Sequence, residues 1–372
     1  MVEILHLDLR RFIDESYEIL IGFGLLNEIP SDLKKKPLGN KYAIVTDSAI
    51  RNFYGKRLLN RFNEEGLSAC LIDFPAGEES KNLGTVSYLA SELLKNGINR
   101  KSAIIALGGG VVGDLTGFVA SIFMRGIPYI QVPTTITAQV DSSIGGKTGV
   151  DTAEGKNLLG AFHQPKRVYI DPSLLKTLSR REFISGLAEV VKYGVIYDRS
   201  LFEYLERNAD RIMSLDEEAL LHIIKRSCEI KKTIVERDPY EENERAILNY
   251  GHTSGHVLER LSGYKILHGE AVSVGMKISG WVSVRMGFWN MDEWKRQNKL
   301  LERLGLPLKM RFDVDEIIET MRFDKKIEGE TIMFVLPRRI GEMVSINGRH
   351  KIPIPEDKLR IFLREVANKI DL

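Results

Sequence analysis

The sequence predicts an α/β fold in its first half and a mostly α-helical second half, on three observations. Between about residues 40 and 175, short apolar runs alternate with helical patterns, the signature of βα units on a mainly parallel sheet. One of these runs passes directly into Gly108-Gly109-Gly110 and then into an apolar helical pattern. After about residue 178 long helical stretches take over, with Gly or Pro only between them.

Residues 41–46 read as a buried strand, followed after Asp47 by a helical stretch through Phe62. Residues 70–74 form a second strand candidate, and residues 82–95 are amphipathic at helical spacing. Residues 102–107 give a third strand, residues 129–132 a fourth that ends at Pro133, and residues 168–170 a late one. Residues 217–236 then form a long helix in which Leu220, Ile224, Cys228 and Val235 recur at spacings of four, four and seven. A boundary near Thr177 to Arg181 divides an α/β domain, residues 1–178, from a mostly helical one, residues 179–372. No internal repeat or low-complexity segment interrupts this plan, and Lys34-Lys35-Lys36 reads as a solvated loop.

A length of 372 residues suits about two domains of roughly 150 residues. The 53 basic residues against 51 acidic ones leave a net charge of +2, with no block of like charges to grip a nucleic acid or a membrane surface. Cys70 and Cys228 are too few for a disulfide scaffold, and no run of about 18 apolar residues exists to span a bilayer. Met1-Val2-Glu3-Ile4-Leu5-His6 carries an early acid and lacks a basic region and a long apolar core, so a cytoplasmic location is expected rather than secretion. Hydrophobic content of 43% and charged content of 28% exclude a disordered or fibrous chain and leave function to local constellations.

Gly108-Gly109-Gly110-Val111-Val112-Gly113-Asp114 fits the G-x-G-x-x-G spacing between a strand and a helix. Such glycines let the backbone approach a pyrophosphate, whose charge meets free N–H groups at the helix start. The acid expected about 20 residues later is missing, so a dinucleotide is favoured outside the usual Rossmann register; with no ligand, the motif is a tight turn. Gly77-Glu78-Glu79-Ser80-Lys81 and Pro133-Thr134-Thr135 lie just past other predicted strands, where open α/β sheets bind ligands. Taken singly, each is more often a helix cap or a turn.

Asn249-Tyr250-Gly251-His252-Thr253-Ser254-Gly255-His256 places two imidazoles four residues apart on one helix face. Extended backward, Arg245, Asn249, His252 and His256 fall on a single stripe at steps of four, three and four. Gly251 and Gly255 each cost about 1 kcal/mol relative to Ala inside a helix, which implies a close approach to the backbone. Catalytic zinc sites commonly use two His and one carboxylate with an open position. His268 in Leu267-His268-Gly269-Glu270 is the further imidazole, and Glu189, between apolar neighbours and three residues before Lys192, is the carboxylate. The alternative is a set of histidines satisfied by core packing.

Arg125, Lys147, Lys156-Asn157, Lys192, Lys231 and Arg245 sit beside glycines or within apolar patterns. Lys231 lies on the apolar stripe itself, and a buried lysine needs a charged partner or a depressed pKa. Several such cations without an overall positive balance point to a pocket for phosphate and carboxylate groups. Any one of them can instead snorkel from a core edge.

These motifs, together with Met124-Arg125-Gly126, Asp141-Ser142-Ser143-Ile144-Gly145-Gly146-Lys147, Gly186-Leu187-Ala188-Glu189, Leu267-His268-Gly269 and Asp324-Lys325-Lys326, closely resemble the 3-dehydroquinate synthases of the sugar-phosphate cyclase superfamily. The resemblance runs in order from about Asp47 to Gly341. It implies a Rossmann-like NAD-binding domain, a helical metal-binding domain and a homodimer. It implies Glu189, His252 and His268 as ligands of zinc, with cobalt as the alternative, and His256 as a group facing substrate. Asp47, Glu78, Lys81, Gly108, Gly109, Gly110, Thr134, Thr135 and Thr177 match dinucleotide positions, and Asp114 and Lys156 are counted with them. Asp141, Lys147, Asn157, Lys192, Lys231, Arg245, Asn249 and His256 match substrate positions. Arg125 matches an arginine that reaches the substrate phosphate of the neighbouring subunit.

The implied reaction converts 3-deoxy-D-arabino-heptulosonate 7-phosphate to 3-dehydroquinate, a step of the shikimate pathway to chorismate and the aromatic amino acids. NAD+ takes hydride from C5, phosphate is eliminated with its own oxygen as base, hydride returns, and an intramolecular aldol step closes the ring. The chain departs from the family at Asp238-Pro239-Tyr240-Glu241, where Asp-Glu-Arg-Glu is common, and at Ser254, where a larger apolar residue is usual. Those departures keep open a related cyclase acting on another sugar phosphate. Asn249 and the His252–His256 region, usually altered in the deoxy-inosose synthases and the sedoheptulose-phosphate cyclases respectively, are intact here. Lys231 and Arg245 suit a substrate carboxylate, which those substrates lack. Two other classes remain as alternatives: a metal- and NAD-dependent polyol dehydrogenase, and a metabolite-binding module without turnover.

Overall fold

The computed structural model describes residues 6, 7, 9, 13–310, 313–323, 327, 328 and 331–368. Residues 1–5, read above for a leader, and the Asp324-Lys325-Lys326 motif lie outside the described residues.

The first half contains strands β1 (Glu18–Ile21), β2 (Tyr42–Asp47), β3 (Ala69–Phe74), β4 (Ala103–Gly108), β5 (Tyr129–Pro133), β6 (Lys147–Val150), β7 (Leu159–Phe162) and β8 (Arg167–Ile170). Between them run helices α1 (Leu25–Lys35), α2 (Ser48–Ile50), α3 (Lys56–Glu64), α4 (Leu83–Lys95) and α5 (Gly110–Ile122). Six strands form one all-parallel sheet in the order β1-β8-β5-β4-β2-β3. The order reverses between β4 and β2, so the carboxyl ends of these two strands flank the crevice where open α/β sheets take ligands.

The central strands are buried along their length because both faces are covered. Ile104 and Ala106 of β4 pack with Leu89, Leu115 and Val119 on one side, whereas Ile105 and Leu107 pack with Leu26, Leu58 and Phe62 on the other. The predicted strands and the helix over 82–95 therefore hold, with Asn82 capping α4 through Thr85 N at 3.0 Å. β1 and the antiparallel hairpin β6–β7 are additions that the sequence reading did not contain.

The second half is built from α6 (Arg180–Ile196), α7 (Arg199–Met213), α8 (Glu217–Arg237), α9 (His252–Leu261), α10 (His268–Arg285), α11 (Met291–Arg303), α12 (Val314–Phe323) and α13 (Glu356–Asn368). Small strands β9 (Ile327–Glu328), β10 (Thr331–Val335), β11 (Pro337–Arg339), β12 (Glu342–Met343) and β13 (Lys351–Pro355) interrupt this helical texture near its end. One apolar core runs from Ile136, Val140 and Ile170 through α6, α8 and α10 to Leu363, joining the sheet edge to the helices. Among the described residues no helix is long and apolar enough to cross a membrane.

Three glycines bring α6, α9 and α10 together closely. A Cβ on Gly269 would lie 1.7 Å from the Ser185 carbonyl oxygen, and one on Gly275 would lie 1.9 Å from the Gly251 oxygen. Gly251 itself has φ +79° and starts α9. The costly glycines of the motif are thus explained by helix α10. Gly275→Ala is expected to lower stability by about 1–3 kcal/mol through overpacking, read as a fall in the denaturant midpoint, because backbone rather than a flexible side chain blocks the methyl group.

Candidate active site

The single stripe expected for Arg245, Asn249, His252 and His256 does not form. Residues Glu244–Asn249 make a short 3-10 turn, Tyr250 is extended at φ −57° and ψ 127°, and left-handed Gly251 opens α9 only at His252. The period was real, but a left-handed glycine at its centre breaks one helix into two elements. Arg245 and Asn249 consequently leave the α9 face that carries His252 and His256.

Glu189, on α6, is fully buried, and neither of its oxygens has a well-directed hydrogen bond. His252 Nε2 lies 3.6 Å and His268 Nε2 3.4 Å from Glu189 Oε1. The opposite nitrogen of His252, Nδ1, is 3.0 Å from the Tyr250 carbonyl, which turns Nε2 toward the glutamate. The ligand atoms of the three residues all lie within 4.8 Å of one another. Two imidazoles and a buried carboxylate that faces them suit a divalent cation, with the ligand set that the resemblance implied.

Their electrostatics agree with that role. Burial pushes His252 down to about 4, against the pull of Glu189, so its imidazole is neutral. Burial alone would raise Glu189, but Lys192 and the two histidines bring it to about 2. For His268, the carboxylates of Glu189 and Glu259, each facing one ring nitrogen, overcome burial and lift it to about 10 when no cation is present.

Beside this trio lies the cation cluster. Lys192 ion-pairs with Glu189, one helical turn away on α6. Lys231 is buried on α8, as its place on the apolar stripe predicted, and pairs with Asp141 at 2.7 Å. The Asp141 carboxylate also accepts from Tyr193 Oη at 2.6 Å. Burial would raise Asp141, but Lys231 and Lys192 hold it well below the usual carboxylate range. Arg245, 1% exposed, donates to the Gly145 carbonyl at 3.0 Å and to the Pro239 carbonyl. Lys147, on β6, meets Glu241, whose other oxygen accepts from Asn249. In this segment Asp238, common to the family pattern, accepts from the backbone of Glu242, Asn243 and Arg245 at 2.8, 2.8 and 2.9 Å, while the altered Tyr240 packs edge-on to Phe162. Ser254 is buried in α9, and nothing in the structure explains its hydroxyl.

On the sheet side, most of the predicted dinucleotide set follows strand carboxyl ends. Asp47 closes β2 and caps α2, accepting from Ala49 N and Ile50 N at 2.9 Å. Gly108, Gly109 and Gly110 join β4 to α5, with Thr134 and Thr135 following at the end of β5. A Cβ on Gly108 would lie 2.4 Å from Val112 Cγ2, and one on Gly109 3.0 Å from Thr135 Cγ2. Lys81 pairs with Asp114 at 2.7 Å and donates to Asn157 Oδ1 at 2.6 Å. Lys156 bridges Glu78 and Glu259. Thr177 lies beyond β8 and shares a 2.8 Å hydrogen bond with Tyr54. Asp47, the glycine turn, Thr134 and Thr135 thus sit at the carboxyl ends of β2, β4 and β5, next to the start of α5, the kind of helix end that suits a pyrophosphate.

Arg125 stands apart. It is exposed at φ +71°, beyond the far end of α5, so the helix length of 13 residues puts it about 20 Å from the glycine turn. Three other residues inside the site were missed: Tyr193, Glu241 and Glu259. Glu259 falls three residues after His256 and seven after His252, a spacing that could have placed it on the same face of α9.

Comparison with known proteins places this geometry. A 2-deoxy-scyllo-inosose synthase complexed with carbaglucose-6-phosphate, NAD+ and Co2+ superposes with a TM-score of 0.87 at 27% identity, covering 94% of this chain and 96% of that one. A 2-epi-5-epi-valiolone synthase from Streptomyces hygroscopicus subsp. jinggangensis 5008, with NAD+ and Zn2+ bound, gives 0.88 at 27% identity, covering 98% and 100%. Fold and site therefore define an enzyme of the sugar-phosphate cyclase architecture.

Family models for the 3-dehydroquinate synthase N-terminal and C-terminal regions match residues 71–185 and 186–327. A 3-dehydroquinate synthase from Prochlorococcus marinus (strain AS9601) is 46% identical over 334 residues, spanning 88% of this chain and 92% of the relative. Another from Synechococcus sp. (strain ATCC 27144 / PCC 6301 / SAUG 1402/1) is 45% identical over 360 residues, spanning 95% and 96%. The chain belongs to the 3-dehydroquinate synthase family.

Proposed function

We propose that this protein converts 3-deoxy-D-arabino-heptulosonate 7-phosphate to 3-dehydroquinate and phosphate, in the cytoplasm, with residues 1–178 holding the cofactor and residues 179–372 the metal. The observation that carries this reading is the placing of Lys147, Lys192, Lys231 and Arg245 around Asp141, directly beside the Glu189, His252 and His268 trio. A substrate with both a carboxylate and a phosphate needs such a cation-lined pocket, and net charge of the whole chain need not reflect it.

Glu189, His252 and His268 would hold zinc or cobalt, which when bound polarises the substrate's adjacent hydroxyls. Asp47, Glu78, Lys81, the glycine turn, Asp114, Thr134, Thr135, Lys156 and Thr177 would hold NAD, which supplies a reversible hydride acceptor. The chain's own groups do the rest. Lys147, Lys231 and Arg245 bind the anionic ends, while Asn157 and Asn249 orient hydroxyls. Asp141 keeps Lys231 fixed, and His256 faces the metal side of the pocket, its ring 5.3 Å from that of His252. Burial of Lys192, Lys231 and Arg245 raises the strength of each contact and keeps water from competing. The purified protein with NAD+ and zinc should release phosphate and 3-dehydroquinate in equal amounts with no net nicotinamide reduction. Turnover of sedoheptulose 7-phosphate or glucose 6-phosphate instead would overturn the assignment, and accumulating NADH would make it a dehydrogenase.

Lys147 gives this reading a pH signature. Desolvation at the pocket wall and the charges of Arg245 and Lys231 push its ammonium down to about 7, although the side chain is half exposed and its tip pairs with Glu241. The charged form, which binds anions, therefore prevails below that pH and is lost above it. kcat/KM is expected to fall as pH rises through about 7, and Lys147→Arg, always charged, should remove this limb at a cost in rate.

The position of Arg125 supports a homodimer in which it serves the partner's pocket, because it lies too far from the crevice of its own chain. Mixing Arg125→Ala with Lys147→Ala should restore activity that neither variant has, since mixed dimers contain one site with both residues intact. No recovery, with exchange of subunits demonstrated, contradicts the shared site.

A further inference from the structure

Glu259 has no part in the reaction as described, yet it touches both His268 of the metal trio and Lys156 of the dinucleotide set. Glu259 is 3% exposed, two turns along α9 from His252. Its Oε2 lies 3.3 Å from His268 Nδ1, while the other nitrogen of the same ring faces Glu189 at 3.4 Å. Its Oε1 lies 3.2 Å from Lys156 Nζ. That ammonium is also 3.1 Å from Glu78 Oε1, in the turn after β3, and 4.6 Å from the centroid of the Tyr264 ring.

A carboxylate that accepts the Nδ1 proton of an imidazole selects one tautomer, aims the Nε2 lone pair at the opposite side and makes it a better ligand. Glu259 meets that description for His268. A buried carboxylate also needs its remaining oxygen satisfied, and Lys156 supplies that partner. Lys156 is held by Glu259 from α9 and by Glu78 from the cofactor side, so displacing either carboxylate strains the other contact. His256, Glu259 and His268 could in principle gather a second cation. The Lys156 ammonium already occupies Glu259 and disfavours one there.

We propose that Glu259 is a positioning residue for His268 and that Lys156, by bridging Glu259 to Glu78, couples the metal centre to the dinucleotide-binding turn. This rests on the metal and NAD reading given above. The coupling is reciprocal: metal tightens NAD+ binding and NAD+ tightens metal binding by the same factor.

The test uses the full chain without substrate. Zinc affinity is measured by chelator competition, the cobalt form by its visible spectrum, and NAD+ affinity by calorimetry with and without metal. Glu259→Ala should weaken zinc binding about 10–100-fold and shift the cobalt bands. Glu259→Gln, which keeps an oxygen acceptor for Nδ1, should recover part of both and guards against a folding defect. Lys156→Met should leave zinc affinity within a few-fold while reducing the metal dependence of NAD+ affinity by about 5-fold or more. Unchanged zinc affinity and cobalt spectrum in both Glu259 variants overturns the positioning role, as do two metals per chain in the parent. Full coupling in Lys156→Met overturns the bridge. A parent that binds neither zinc nor NAD+ overturns the functional reading itself and this inference with it.

Discussion

Glu189→Gln removes metal-supported turnover by a factor of about 10^3 or more and destabilises the fold at the same time. The substitution keeps the side chain's size and takes away the only carboxylate of the Glu189, His252 and His268 trio. A metal that supplies several kcal/mol to the transition state accounts for that factor, since each 1.36 kcal/mol is tenfold in rate. The second effect comes from Lys192, 1% exposed and ion-paired with Glu189. Removing one partner of a buried pair strands the other charge, which costs about 3–5 kcal/mol. Metal content after dialysis, the denaturant midpoint and kcat/KM check the two effects separately. A variant that keeps stoichiometric zinc would show that Glu189 is not a ligand.

Lys231→Met is expected to lower stability by about 3–5 kcal/mol and to reduce kcat/KM beyond what the lost stability explains. Lys231 is the close cationic partner of Asp141, which otherwise keeps the Tyr193 hydroxyl and the more distant Lys192. Combining Lys231→Met with Asp141→Asn removes the stranded charge. The double variant should regain stability relative to Lys231→Met alone, but not activity. Such a result separates the pair's structural coupling from its service to the substrate. Additive losses would mean that the two residues do not form a unit.

The parallel sheet was legible because its central strands are covered on both faces and so read as continuous apolar runs bounded by turns. β1, with only four residues at the sheet edge, offers too short a run to stand out. The β6–β7 hairpin reads as a glycine-rich loop, yet Gly149 and Gly160 are needed there because the backbones touch. A Cβ on Gly160 would sit 2.3 Å from the Thr148 oxygen. The small strands after residue 327 are likewise too short to interrupt a helical reading.

At the site, the histidine cluster was legible because imidazoles are scarce, with only 7 in the chain, whereas the choice of Glu189, His252 and His268 over His256 came from the resemblance. Lys231 was legible because a lysine on an apolar stripe breaks the pattern. Glu241 and Glu259 were not, because they are two among 51 acids and the lysines they pair with lie far away in sequence. Lys147 and Glu241 are 94 residues apart, and Lys156 and Glu259 are 103 apart. Only the folded chain brings them together. The broken stripe at Gly251 has the same origin: periodicity continues through the break, whereas the helix does not.

The proposed reaction removes a hydride from C5 of the heptulosonate phosphate and returns it to the same carbon before the ring closes. Substrate carrying deuterium at C5 tests this directly. The expected product is 3-dehydroquinate that retains the deuterium at the corresponding carbon, with phosphate released in equal amount and no net NADH. Loss of the label to solvent, or its recovery in a reduced nicotinamide pool, would contradict it.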